Sequence, residues 1–217
     1  MIKYKKICLV SKGDKIKMFA YVSGILMNKN NNNVIVEAGG IGYSIFMPVN
    51  SIKKLPEIGE KVKIHTYYYV REDNISLYGF NSIEELRMFE LLLSVSGIGA
   101  KSALAMISEL SPSQFALDVI SSDVSDLVKI PGIGNKTAQR IILELKDKLK
   151  TESAIIKAEV SKEGNKIEVN NVLEEAVAAL QVLGYQQKEI QNALSKMNVQ
   201  ELNVEDIIRK ALILLSK

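Results

Sequence analysis

Through residues 18–80 apolar side chains alternate with polar ones at the period of two that half-buries a β-strand. Lys61-Val62-Lys63-Ile64-His65-Thr66 shows the alternation before the run turns aromatic at Tyr67, Tyr68 and Tyr69 and ends in Val70. Val34-Ile35-Val36-Glu37-Ala38 leads into Gly39-Gly40-Ile41-Gly42 and then Tyr43-Ser44-Ile45-Phe46-Met47, a pattern that predicts a hairpin with a glycine turn. Ser76-Leu77-Tyr78-Gly79-Phe80 adds a further strand. About five short strands in this span predict a small closed barrel, and the OB-fold is the commonest of that size. No long helix follows Gly39, Gly40 and Gly42, so a turn is a better reading of them than a dinucleotide loop.

The period changes at Asn81. Ser82-Ile83-Glu84-Glu85 reads as a capped helix start, and Leu86, Phe89, Leu92 and Leu93 supply a helical apolar face. Ser111-Pro112 opens another helix that buries Phe115, Leu117 or Val119. A third is predicted from Lys136 to about Lys150, with Ile141, Ile142 and Leu145 inward. Residues 151–168 mix Lys, Glu, Ser, Gly164 and Asn165 with little periodicity and predict a flexible linker. Beyond it lie three amphipathic segments: Val172 to Leu183 stopping at Gly184, Ile190 to Met197, and Val204 to Leu215. Three short helices make a small core, whose apolar remainder seeks a partner. The expected fold is multidomain, β then all-α. It has an N-terminal extension (1–17), an OB-fold β-barrel (18–80), a tandem helix-hairpin-helix domain (81–150), the linker (151–168) and a small C-terminal three-helix domain (169–217).

The helical region repeats itself. Val95-Ser96-Gly97-Ile98-Gly99-Ala100-Lys101-Ser102-Ala103 returns thirty-five positions later as Ile130-Pro131-Gly132-Ile133-Gly134-Asn135-Lys136-Thr137-Ala138. In each copy an apolar helical stretch runs into Gly-x-Gly and a new helix starts directly after it, which is the helix-hairpin-helix pattern. Two glycines at that spacing let the backbone turn sharply and approach a ligand with no Cβ in the way. The amides opening the second helix are unpaired and carry the positive end of its dipole, a setting that suits a phosphate. Candidate nucleic-acid contacts are therefore Gly97, Ile98, Gly99 and Lys101 in the first copy and Gly132, Ile133, Gly134, Asn135 and Lys136 in the second, with Arg140 one turn further on. A plain C-cap glycine explains one such copy better than it explains two matched ones. A nucleotide-binding P-loop fails on spacing, because Asn135 separates Gly134 from Lys136 and a helix leads in.

Composition narrows the chemistry. One cysteine, Cys8, excludes an internal disulfide framework, and one histidine, His65, leaves no His-based metal or catalytic cluster, so neither cofactor nor metal is expected. No run approaches the ~20 apolar residues of a membrane span and no signal-peptide core opens the chain, which predicts a cytoplasmic protein. The formal charge of +3 over 217 residues is local. Residues 1–17 hold Lys3, Lys5, Lys6, Lys12, Lys15 and Lys17 against Asp14, a net +5, so the other 200 residues are net −2. Nucleic-acid binding must then come from placed groups instead of a generally cationic surface. The extension reads as a disordered tail or a start-site artefact.

Barrel, tandem hairpins, tether and three-helix tail, in that order over residues 18–217, resemble the RuvA family. Gly40-Ile41-Gly42-Tyr43, Val70-Arg71-Glu72-Asp73, Leu77-Tyr78-Gly79-Phe80 and the second Gly-x-Gly segment carry the resemblance. It implies a homotetramer, or a face-to-face octamer, that binds a four-way DNA junction by its arms through the two hairpins. It further implies a tail that binds the RuvB ATPase hexamer, the RuvC resolvase as another partner, and no catalysis by the chain itself. Glu72 and Asp73 would form an acidic pin at the junction centre; without the resemblance, Arg71-Glu72-Asp73-Asn74 is an ordinary solvated turn. Two departures stand out: Phe19-Ala20-Tyr21-Val22-Ser23-Gly24 holds no arginine where relatives often do, and Asn135 replaces a common basic residue. Rival readings are a repair nuclease or glycosylase subunit, and a single-strand binder stacking bases on Tyr67, Tyr68 and Tyr69.

Overall fold

The computed structural model describes residues 18–72, 74–159, 171–199 and 202–215, with the backbone alone for 148–159 and 171. The extension 1–17, Asp73 and residues 160–170 of the linker region lie outside the described residues. Strands β1 (Tyr21–Lys29), β2 (Asn33–Ala38), β3 (Ile41–Phe46), β4 (Lys61–Val70) and β5 (Ile75–Phe80) close into a barrel in the order β1-β2-β3-β5-β4. All neighbours are antiparallel except β3 and β5, which pair parallel at Phe46 and Tyr78. The β2–β3 turn uses Gly39 and Gly40, both at positive φ (62° and 80°), as a two-residue hairpin of the primed type demands. Period-two alternation sends Val22, Leu26, Val34, Val36, Ile45, Val62 and Ile64 inward, and a short helix α1 (Val49–Lys53) adds Ile52 to that core.

The helical part is built from α2 (Ile83–Leu93), α3 (Ala100–Glu109), α4 (Pro112–Ser121), a 3₁₀ turn at Leu127–Lys129, and α5 (Asn135–Glu159). Ser82 and Ser111 cap α2 and α4 by accepting from the amides of Glu85 and Gln114, and Pro112 stands where a helix tolerates it. Phe115 and Val119 are fully buried, Leu117 only partly. The expected helix before the second hairpin is reduced to the single 3₁₀ turn. A polar joint fixes the barrel against these helices: Glu85 accepts from the Asn81 amide (3.0 Å) and from the Ser51 hydroxyl (3.1 Å), while the Asn81 side chain donates to the Ser51 carbonyl (2.8 Å). Burial pushes the Glu85 carboxyl above its ordinary range, opposed by these hydrogen bonds.

One expectation about the C-terminal half is corrected and another is extended. Helix α5 continues to Glu159, nine residues into the stretch read as linker. Residues 146–159 contain neither Gly nor Pro and are mostly strong helix formers, so the absence of an apolar stripe there does not end the helix. The tail, α6 (Asn171–Val182), α7 (Gln187–Leu194) and α8 (Val204–Leu215), packs on the helical domain, chiefly against α4. Ala176, Ala179, Leu180 and Leu183 join one continuous core with Phe115, Ala116 and Val119. Tyr185 seals the seam: its buried hydroxyl donates to Glu84 at 2.9 Å, and the Arg87 guanidinium lies 3.9 Å from its ring centre. Burial, then the adjacent Glu84 carboxylate, raises the Tyr185 hydroxyl pKa. Part of the tail's apolar surface is thus buried within the chain, while Val172 and Ile213 stay exposed.

Candidate nucleic-acid interface

The two repeats fold into turns of the same type. In the first, the Ile98 amide donates to the Val95 carbonyl at 3.2 Å and Gly97 takes φ 82°. In the second, the Ile133 amide donates to the Ile130 carbonyl at 3.0 Å and Gly132 takes φ 86°. A positive φ at the third residue of a four-residue turn is the type II geometry, where glycine is favoured. Val95, Ile98, Ile130 and Ile133 are buried and pin each turn to the core, while Gly97, Gly99, Lys101, Gly132, Gly134, Asn135 and Lys136 are exposed. A Cβ placed on Gly99, Gly132 or Gly134 would meet no heavy atom within 4 Å, so the glycine faces are open to a ligand.

Helices α3 and α5 start directly from these turns. Their fourth amides are already used, Ala103 to Gly99 (3.0 Å) and Ala138 to Gly134 (2.9 Å), which leaves the amides of residues 100–102 and 135–137 ahead of the ladder. No side chain caps α3, and neither first turn carries an acid that would compete with an anion. Lys101 and Lys136 add charge within that turn. The amides of Ile98 and Ile133 close the turns and their side chains are buried, so these two residues anchor the hairpins to the core.

Arg140 lands in an unexpected place. It is one turn beyond Lys136 on α5, yet its Nη1 lies 3.5 Å from where a Cβ of Gly97 would stand, which places its charge beside the first hairpin. One turn further, Glu144 accepts a hydrogen bond at 3.0 Å from the Ser96 amide. Sequence reasoning missed Glu144. The repeat carried a signal, because Glu109 and Glu144 are also thirty-five apart, but only tertiary contact shows what Glu144 touches.

The acidic turn projects from the β4–β5 end of the barrel. The Arg71 amide donates to the Asn74 carbonyl at 2.8 Å, closing the turn, and Glu72 is exposed at its tip; Asp73 is outside the described residues. Arg71 folds back, its Nε donating to the Tyr69 hydroxyl at 2.9 Å and its guanidinium 5.2 Å from that ring. Tyr69 in turn packs edge-on against Tyr78, which leans on Phe89 of α2. The tyrosine run is therefore structural, with Tyr67 against Phe89 and Tyr68 against Phe19. This speaks against free stacking platforms for single strands.

Comparison with known proteins agrees with this layout. The family model for the RuvA N-terminal domain matches residues 18–79, that for a SAM-like helix-hairpin-helix tandem 89–147, and that for the RuvA C-terminal domain 171–216. A Holliday junction branch migration complex subunit RuvA from Ruminiclostridium cellulolyticum is 51% identical over 196 residues, 90% of this chain and 98% of the relative. The protein of the same name from Acetivibrio thermocellus is 51% identical over 197 residues, covering 90% and 97%. That from Aeromonas salmonicida is 39% identical over 200 residues, covering 90% and 98%. Across barrel, paired hairpins and tail alike, the chain belongs to the RuvA family.

Proposed function

We propose that this chain is the non-catalytic junction-binding subunit of a branch-migration complex. Four copies hold a four-way DNA junction open, and the C-terminal helices recruit the RuvB ATPase hexamer that moves it, in recombination and repair. The observation that carries this reading is the pair of exposed glycine turns, each opening a helix whose first amides lie ahead of its hydrogen-bond ladder and are flanked by a lysine. Such a site grips phosphates and carries no base information, which suits a junction that slides through any sequence. The relatives' name, a Holliday junction branch migration complex subunit, supports the same substrate. Homotetramer against octamer, and a contact with the RuvC resolvase, rest on the family resemblance.

Selectivity for a junction is then geometric. A carboxylate at the tip of the acidic turn repels a phosphate by about 1 kcal/mol at 4 Å in water, and more where water is displaced. Glu72, with Asp73 beside it in sequence, raises the cost of seating a continuous duplex across the centre and favours strands that part. Gel shifts with a labelled four-way junction and a linear duplex of equal length test the reading. Tighter binding to the junction is expected, without strand cleavage in Mg²⁺. Replacing Glu72 and Asp73 by Gln and Asn should raise duplex binding relative to junction. Equal affinity for both DNAs, or cleavage by the pure protein, overturns the proposal.

A further inference from the structure

We propose that Glu144 is a positioning residue that holds the first hairpin in its phosphate-accepting form, a task that Pro131 performs for the second. The inference rests on the reading of the hairpins as phosphate sites. The repeat makes the comparison residue by residue, because Glu144 corresponds to Glu109, Arg140 to Ala105 and Ser96 to Pro131. Both turns have the same geometry, with φ 82° at Gly97 and 86° at Gly132. They are stabilised differently. Proline fixes φ near −65°, as the second position of this turn requires, and has no amide hydrogen left to satisfy. Glu109 accordingly has no N–H to accept at Pro131, and lines an open cleft with Ile130 and Lys129.

Ser96 has neither property. Its φ is free in the unfolded hairpin and its amide needs an acceptor, which Glu144 supplies at 3.0 Å from one turn beyond Arg140. Glu144 and Arg140 lie four residues apart on α5, so the helix that begins at the second hairpin presents an acceptor to the Ser96 amide and a cation to Gly97. The first hairpin is thereby tied to the helix of the second, and the two phosphate sites are held as one unit.

The test uses the full chain and a labelled four-way junction. Glu144→Ala should weaken binding about fivefold per protomer, the worth of one net hydrogen bond, and should abolish hydrogen-exchange protection of the Ser96 amide. Glu144→Gln keeps an acceptor oxygen and should retain both. Adding Ser96→Pro to Glu144→Ala gives the first hairpin the device of the second and should restore binding. Unchanged binding and unchanged Ser96 protection in Glu144→Ala overturn the proposal, as does a binding loss that neither Glu144→Gln nor Ser96→Pro repairs. Gly99→Ala is the separate control for the hairpin reading: if it binds normally, the phosphate site itself is wrong, whereas the exchange data still report on the Glu144 contact.

Discussion

Gly99→Ala separates backbone approach from backbone strain. Gly99 is the residue before α3, at φ −97° and ψ 171°, a conformation open to any residue, and no atom lies within 4 Å of the place its Cβ would take. Alanine there reduces the freedom of the unfolded chain, worth about 0.4–1 kcal/mol of stability, and is a poorer helix cap than glycine by a similar amount. The two nearly cancel, and the melting temperature should stay within about 2–3 °C of the parent. The new methyl group does meet a phosphate drawn onto the first-turn amides. Losing one charge-assisted amide contact costs about 1.5–3 kcal/mol, which converts to roughly tenfold to a hundredfold weaker junction binding. Gly97→Val is a less clean probe, because φ 82° makes any β-branched residue strained and unsettles the fold as well. Fluorescence anisotropy with labelled junction, alongside calorimetry on the same samples, measures both quantities. An unchanged dissociation constant in a protein of unchanged melting temperature would show that no phosphate reaches these amides.

Two further outcomes follow from buried polar groups. Tyr185→Phe removes the 2.9 Å bond to Glu84 and leaves that carboxylate buried with one donor fewer, at a cost of about 1–3 kcal/mol; faster hydrogen exchange in α6 with an unaltered barrel is expected, and equal protection in α6 would mean the tyrosine does not hold the tail. Asp118 is buried, with Oδ1 accepting from Gln114 at 2.8 Å and Oδ2 unpartnered, and burial, aided by Asp126 and Asp123 against the Gln114 bond and Lys129, raises its pKa from 3.8 to about 6. The native state therefore holds this proton more tightly than the unfolded chain, so stability is lost as pH rises from about 4 through about 6. Asp118→Asn should raise the melting temperature by about 2–4 °C at pH 8, for roughly 1 kcal/mol, and change it little at pH 4. The same increment at both pH values would refute the buried charge as its cause.

Local rules made much of the molecule legible from its residues. Val34 and Val36, then Ile45, could alternate inward only as strands; Ser82 and Ser111 announced their helices by what their hydroxyls can cap; Gly97 and Gly132 marked turns few other residues enter. Each of these signals lies within a few positions of the structure it specifies, because backbone sterics and capping act at that range. The end of helix α5 at Glu159 is less legible, since apolar periodicity shows which face a helix buries and says little about where an exposed helix stops. Tertiary structure alone decided the rest. The two copies read alike, but packing α5 across the first hairpin put Arg140 against Gly97 and Glu144 under Ser96, forty-three and forty-eight positions away. The tail likewise reads as a free amphipathic unit until Tyr185 meets Glu84 across 101 positions. Side-chain type tells what a residue can accept or donate; only the folded chain brings the second group within reach.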